Sequence, residues 1–295
     1  MQSNKPLCNL CGSDKVNHLS TFKEEQLYKC QNCHLVFKWP LPKNDIVTNQ
    51  VEKHYTEADP HQSVALAKNR FFKKLLDTLD NKCTSEEKTL LDVGCGYGYF
   101  MQLASERGWK AHGVEIMEKG CLYIKEKLNL PVCKGDLMEA DYAPQSFDVV
   151  SLLDVLVMCP DPSLTLKQAA LLLKNKGLVV IRLPNYYFQR LIHLIYHYGG
   201  WLFSLWKISN PSVFHLYSFS PSTIKKMLLK AGFHNIKINN SYLTTGDPYG
   251  IVKSSILAKI IKAKIYYSAQ IVYYLTFGKI ILGPSLLVTA KKIGQ

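Results

Sequence analysis

The sequence predicts an α/β protein built on a doubly wound, mainly parallel sheet, with a small cysteine-bearing ribbon in front of it. Three observations predict this. Short apolar runs alternate with helical periodicity between residues 89 and 183, the first of those runs leads straight into Gly94-Cys95-Gly96-Tyr97-Gly98, and two CxxC pairs precede both. Strands separated by helices pair in parallel, because each crossover returns the chain to the same edge of the sheet. The chain has 295 residues, 47% hydrophobic and 20% charged. That composition excludes disordered, collagen-like and coiled-coil readings.

The ribbon comes first. Cys8-x2-Cys11 is followed after 18 residues by Cys30-x2-Cys33. Each tight CxxC turn presents two thiolates, and four thiolates complete a closed tetrahedral shell around Zn2+, which makes the metal structural rather than catalytic. His18 and His34 lie nearby and read as surface residues beside a complete cysteine set. Leu27-Tyr28-Lys29 and Leu35-Val36-Phe37 read as ribbon strands, and so small a unit depends on metal for its folding energy. Residues 1–45 form this ribbon, 46–88 a linker and leading helix, and 89–295 the main domain. The leading helix is expected over 63–79, where Ala65, Phe72, Leu75, Leu76 and Leu79 recur at helical spacing.

The first strand, 89–93, carries Asp92 one residue before the glycine turn, and an amphipathic helix follows through Arg107. Glycines at this point let a ligand approach the backbone closely, with the next helix opening toward it. The spacing is G-x-G-x-G, and Tyr99 stands where the G-x-G-x-x-G dinucleotide fingerprint has its third glycine, which weakens a nicotinamide reading. A second strand ends on Glu115, 17 residues beyond Gly98, placed to accept from both hydroxyls of a ribose. A third ends at Gly135-Asp136-Leu137, where Asp136 is suited to an adenine amine. The fourth is 147–153, the fifth 177–183 after a helix over 164–173, the sixth 233–242 and the last 285–291.

These residues carry a resemblance. LLDVGCGYGYF (90–100), GWKAHGVE (108–115), GDL (135–137), FDVVSLLDVLVMCPDP (147–162) and a fifth strand closing on Pro184-Asn185 resemble the class I S-adenosylmethionine-dependent methyltransferases. More narrowly, the chain is similar to a bacterial branch, with sugar-methylating members, in which a four-cysteine zinc ribbon precedes that core. The resemblance implies a Rossmann-like sheet of seven strands with the last hairpin antiparallel, and S-adenosyl-L-methionine at the carboxyl ends of its strands. It implies that Gly94, Gly96 and Gly98 pass the methionine part and Asp92 orients its ammonium. Glu115 then holds the ribose, Asp136 and Leu137 the adenine, and Leu153 lies under the sulfonium. Many relatives carry a Glu-His pair where this chain has Val157-Met158, and in some quinone and catechol methylating relatives that pair helps hold a divalent metal. Its absence argues against metal-assisted catechol chemistry. The segment Ser151-Leu152-Leu153-Asp154 likewise departs from the box of enzymes that methylate base amines.

The remaining residues supply the acceptor side, with 185–219 as a lid. His215 resembles the histidine of the zinc-ribbon relatives' His-x-x-x-Phe-Ser segment and is the candidate base or substrate ligand. A buried histidine satisfied by backbone is the alternative. Tyr217 and Asp154 are further catalytic candidates, His193 and His197 lid residues, and Tyr55 a side chain placed to close over the cofactor. Ser220-Pro221 reads as the start of a helix running through Lys230.

Charge is unevenly spread. Residues 182–295 hold 14 Lys/Arg against one acidic residue, Asp247, together with 19 of the 33 aromatics. Such a half suits an anionic partner. Residues 250–278 form a basic amphipathic excursion, read either as a peripheral contact with an anionic membrane or as a helix packed on the protein. The N-terminus has no apolar stretch of a secretory type, and the cysteines read as reduced, so the expected location is the cytoplasm, with peripheral contact at the inner membrane face. The predicted function is methylation of an anionic small molecule, a sugar or glycan unit on a nucleotide or lipid carrier. RNA methylation, favoured by the basic half but not by the near-neutral ribbon, and a catalytically silent binding scaffold are the alternatives.

Overall fold

The computed structural model describes residues 5–22, 25–41, 60–205, 214–244 and 256–294. The ribbon is a meander of β1 (Val16–Phe22), β2 (Glu25–Cys30) and β3 (Val36–Trp39). Only β2 and β3 were legible in the sequence. β1 escaped because its exposed VNHLSTF gives no clean apolar alternation. The two cysteine turns are built alike: the residue after each second cysteine, Gly12 or His34, is left-handed (φ 74° and 69°), and its N–H donates to the carbonyl of Cys8 or Cys30.

After α1 (Pro60–Asp80), the main sheet is laid down by β4 (Thr89–Val93), α2 (Tyr99–Ser105), β5 (Lys110–Glu115), α3 (Glu118–Tyr123), β6 (Val132–Lys134), β7 (Phe147–Leu153), α4 (Pro162–Leu172) and β8 (Leu173–Pro184). Next come α5 (Tyr186–Leu205), a two-residue β9 (Tyr217–Ser218), α6 (Pro221–Lys230), β10 (Phe233–Asn240), α7 (Ile256–Leu275) and β11 (Ser285–Lys292). Seven strands form one sheet in the order β10-β11-β8-β7-β4-β5-β6. β4 pairs in parallel with both β5 and β7, while β11 enters antiparallel between β8 and β10. The strand order therefore reverses at β4, and in open α/β sheets that switch point opens the ligand crevice at the carboxyl ends of the strands.

Both faces of the sheet are covered, as its unbroken apolar strands require. On one side Phe71, Leu75, Leu76 and Leu79 of α1 pack with Phe100 and Met101 of α2, and each fully buried side chain contributes roughly 1.5–3 kcal/mol. On the other, α4 and α6 pack Leu166, Ala169, Ile224 and Leu228 in the same cluster as Cys8, Cys33, Leu35 and Phe37 of the ribbon. The start of α6 is a capping box: Ser220 Oγ accepts from the Thr223 N–H at 3.3 Å and Thr223 Oγ1 from the Ser220 N–H at 2.9 Å, with Pro221 in the first turn.

The sequence separated the ribbon from the acceptor lid, and the structure joins them. β9 adds to β3 as a fourth ribbon strand, Phe37 opposite Tyr217 and Val36 opposite Ser218. Lys38 N–H donates to the Leu216 carbonyl at 2.9 Å, and Phe37, Tyr217 and Phe219 stack in a row. Asn9 and Lys230 close the seam: Asn9 Nδ2 donates to Asp161, and Lys230 Nζ to the Leu10 carbonyl.

Candidate functional site

The crevice begins at the glycine turn. Gly94, Gly96 and Gly98 all have φ between 59° and 75°, the left-handed region that glycine enters without strain. A Cβ on Gly94 would stand 2.6 Å from Val155, and one on Gly98 2.7 Å from Ile124. β4 ends beneath this turn, and β5 delivers Glu115 beside it. Glu115 is 4% exposed; its Oε2 accepts from the Gly96 N–H at 2.7 Å and its Oε1 from the Met117 N–H at 2.8 Å. A carboxylate oxygen has two lone pairs, so each oxygen keeps one for a hydroxyl. Burial pushes Glu115 above the usual carboxylate range, opposed by those backbone N–H groups.

Asp92 lies buried in β4, with Ser151 Oγ donating to its Oδ1 at 2.7 Å. Burial pushes its carboxyl up to about 7, with the nearby Glu115 charge adding to the rise. A buried carboxyl in this state is a ready partner for a cationic group. At the end of β6, Asp136 is exposed and folds its turn by accepting from the N–H groups of Met138 and Glu139, while Leu137 is buried at 3% exposure. Leu153 closes β7, half-buried, two residues beyond Ser151, the partner of Asp92 in the neighbouring strand.

An ion cluster follows directly. Asp154 sits at φ 72°, and its Oδ2 accepts from Lys68 Nζ of α1 at 2.8 Å and from Arg182 of β8. Arg182 is fixed further by a hydrogen bond from Nε to Ser241 Oγ and by stacking over Phe71. The two cations overcome the burial penalty and hold the Asp154 carboxyl well below the usual range.

In the ribbon, the four sulfur atoms of Cys8, Cys11, Cys30 and Cys33 lie within 4.8 Å of one another, with Cys8–Cys33 at 3.3 Å and Cys11–Cys30 at 3.5 Å. Sulfurs at tetrahedral zinc bonds are about 3.8 Å apart, so the cluster could hold Zn2+ after small side-chain shifts. The hydrogen bond between Cys8 and Cys33 raises the one thiol and lowers the other, so the pair shares a proton that a bound metal would displace. His18 and His34 are exposed and outside the cluster, as expected.

With this geometry in view, comparison with known proteins is decisive for the family. Residues 64–238 match the model of the methyltransferase domain. The chain belongs to that family. A methyltransferase domain of this fold supports S-adenosyl-L-methionine as the cofactor. Among curated relatives, the ubiquinone biosynthesis O-methyltransferase of Saccharophagus degradans is 35% identical over 105 residues, 34% of this chain and 44% of that protein. Its counterpart from Azoarcus sp. is 29% identical over 121 residues, 39% of this chain and 52% of that protein. The methyltransferase thus spans about half the length of the curated relatives it matches. Among solved structures, a chain from the complex between the Haloferax volcanii Trm112 methyltransferase activator and a methyltransferase aligns at TM-score 0.53 and 15% identity, over 80% of this chain and 95% of that one. That likeness concerns the fold.

Two expected catalytic residues have other tasks. Asp154 is held as a carboxylate between two cations, and a base so stabilised has little tendency to take a proton. Tyr217 is 3% exposed in the ribbon seam, its hydroxyl donating to the Pro160 carbonyl at 3.0 Å, and burial pushes its pKa up. His215 is half-buried, two residues before the seam strand. His193 lies on α5 with its ring 5.5 Å from Phe214. Tyr55 lies outside the described residues.

Sequence reasoning missed Lys68, Arg182 and Gly120. A charged Arg182 inside an apolar strand was a readable signal; that Lys68, 114 positions away, shares Asp154 with it was not. Gly120, the third residue of α3, has no room for a side chain because a Cβ would stand 2.5 Å from the Gly96 carbonyl oxygen.

Proposed function

We propose that this methyltransferase transfers the methyl group to a hydroxyl of a small anionic acceptor, a sugar or glycan unit carried on a nucleotide or a lipid. The observation that carries the reading is the position of the segment containing His215. Tyr186 N–H donates to the Phe219 carbonyl, Asn185 bridges to Phe219, and the Tyr217 hydroxyl reaches the loop that follows β7. The segment thereby stands at the carboxyl ends of β7 and β8, on the acceptor side of the donor crevice. Support for oxygen as the acceptor atom comes from relatives named O-methyltransferases. Val157, 1% exposed, and Met158 occupy the turn where some relatives carry Glu-His, so a metal-assisted catechol mechanism is disfavoured.

S-adenosyl-L-methionine supplies a methyl already activated on a sulfonium. The protein's work is alignment, exclusion of water and removal of one proton. Asp92 and Glu115 fix the donor through its ammonium and ribose, Leu153 forms the apolar floor, and His215 accepts the proton released from the hydroxyl.

The test is transfer of labelled methyl from S-adenosyl-L-methionine to nucleotide sugars, lipid-linked sugars, a demethylquinol and total RNA. Turnover of a sugar conjugate that is lost in His215→Ala, with S-adenosylhomocysteine affinity intact, is expected. Turnover of only the quinol or RNA would overturn the reading.

A further inference from the structure

α7 is turned inside out for a helix in water. Among its described side chains one position is buried, Ala269, which lies so close to the sheet edge that Asn240 Nδ2 donates to its carbonyl at 3.2 Å, and Tyr273 is tied inward to Asn239 Oδ1 at 2.6 Å. The outward positions include Ile260, Lys264, Tyr267, Ile271 and Tyr274, spaced four and three residues apart, hence one stripe on the helix surface, with Ser268 exposed beside it. Leu275 and Phe277 continue it at 75% and 93% exposure. Packing normally places such a stripe against the core and leaves lysines outside. Here a helix of the protein shows its apolar stripe to solvent.

α5 repeats the pattern. Tyr187, Leu191, Leu194, Ile195 and Tyr198 are exposed at helical spacing. Asn185, just ahead of α5, joins the two features: its N–H donates to the Pro284 carbonyl and its Nδ2 to the carbonyls of Ile281 and Gly283, in the turn that leaves α7. Ile280 and Leu282 of that turn are themselves exposed. The start of α5 and the turn that leaves α7 therefore meet at the carboxyl end of β8, the end of the sheet that carries the glycine turn.

We propose that this face docks the methyltransferase on an anionic lipid bilayer. Charge selects the occupant. Residues 256–282 contain four lysines and no acidic side chain, and Lys264 and Lys279 lie within and just beyond the stripe. Exposed aliphatic and tyrosine side chains with a lysine fringe are the composition that settles at a headgroup boundary, apolar body in the acyl region and polar tip in the headgroups. No described helix is long and apolar enough to cross a membrane, so the contact is a surface one. If the acceptor is carried on a lipid, a step that rests on the function proposed above, docking on this face brings it to the mouth of the site.

The test is co-flotation of the zinc-loaded protein with vesicles of pure phosphatidylcholine and of phosphatidylcholine with 30 mol% phosphatidylglycerol, without any acceptor. The proposal expects at least tenfold stronger binding to the anionic vesicles, weakened by 0.5 M salt. It expects the Leu275→Ser/Phe277→Ser double variant to lose binding while S-adenosylhomocysteine affinity stays unchanged. Lys264→Gln with Lys279→Gln should weaken binding roughly tenfold or more. Equal or absent binding to both vesicle types overturns it, as does a concentration-dependent dimer in light scattering that the same serine variant abolishes. Because flotation needs no acceptor, its failure leaves the proposed acceptor class standing, and a failed acceptor screen leaves the lipid result standing.

Discussion

Glu115 at the tip of β5 accepts a 2.7 Å hydrogen bond from the backbone N–H of Gly96, so one carboxylate both shapes the glycine turn and faces the space the turn encloses. Removing it has two consequences at once. Glu115→Ala is expected to weaken S-adenosyl-L-methionine binding by more than tenfold in calorimetric titration, and Gly120→Ala, which pushes against the Gly96 carbonyl from the other side, to weaken it as well. Unchanged affinity in Glu115→Ala would take the residue out of the ribose role.

Asp92 predicts a pH dependence. Its carboxyl titrates near 7 because of burial, with Glu115 raising it, Ser151 donating to it and Lys68 pulling it down. The ammonium of the donor needs the carboxylate, so affinity is expected to fall as pH drops below about 7, approaching tenfold per unit, and to level off above it. Stability runs the other way: the folded protein holds this proton more tightly than the unfolded chain, so the stabilisation is complete below about 4 and fades as pH rises through about 7. Asp92→Asn should flatten the affinity profile and raise the unfolding free energy of the cofactor-free protein at pH 8 by up to about 4 kcal/mol.

The Lys68–Asp154–Arg182 cluster is structural support rather than proton-transfer machinery. Asp154→Ala leaves two mostly buried cations facing each other, with side-chain exposures of 12% each. A loss of about 3 kcal/mol in urea unfolding is expected. Between pH 5 and 9 no inflection of kcat should trace to Asp154, since its carboxyl stays ionised throughout.

Chelation tests the seam between ribbon and acceptor side. Stripping Zn2+ should raise deuterium exchange in residues 36–39 and 216–219 together, because Phe37 and Tyr217 are paired across β3 and β9. Acceptor turnover should fall with S-adenosylhomocysteine affinity preserved. Exchange that rises in the ribbon alone would show the two to be independent.

Much of this protein was legible in its sequence because the signals are local. Strand β7 and helix α6 fall where the apolar runs and the Ser220-Pro221 start placed them, and β4 runs into a turn whose glycines need left-handed backbone that other residues resist. The four cysteines announced their cluster by spacing alone, since a tetrahedral shell constrains separations within each turn. Glu115 was readable because an acidic residue ending a buried strand must face a polar partner.

What only the tertiary structure decided depends on pairs distant in sequence. Nothing local to Asp154 reveals that Lys68 and Arg182 converge on it, and an acid that reads as a candidate base becomes a fixed anion once two cations share its oxygen. Tyr217 reads as a lid tyrosine until β9 is seen added to the ribbon, where its hydroxyl is occupied and its ring is core. The orientation of α7 is the third case: periodicity shows that a helix has two faces, but which one meets the sheet is set by the close approach of Ala269 to Asn240, a packing decision that leaves the apolar stripe in solvent.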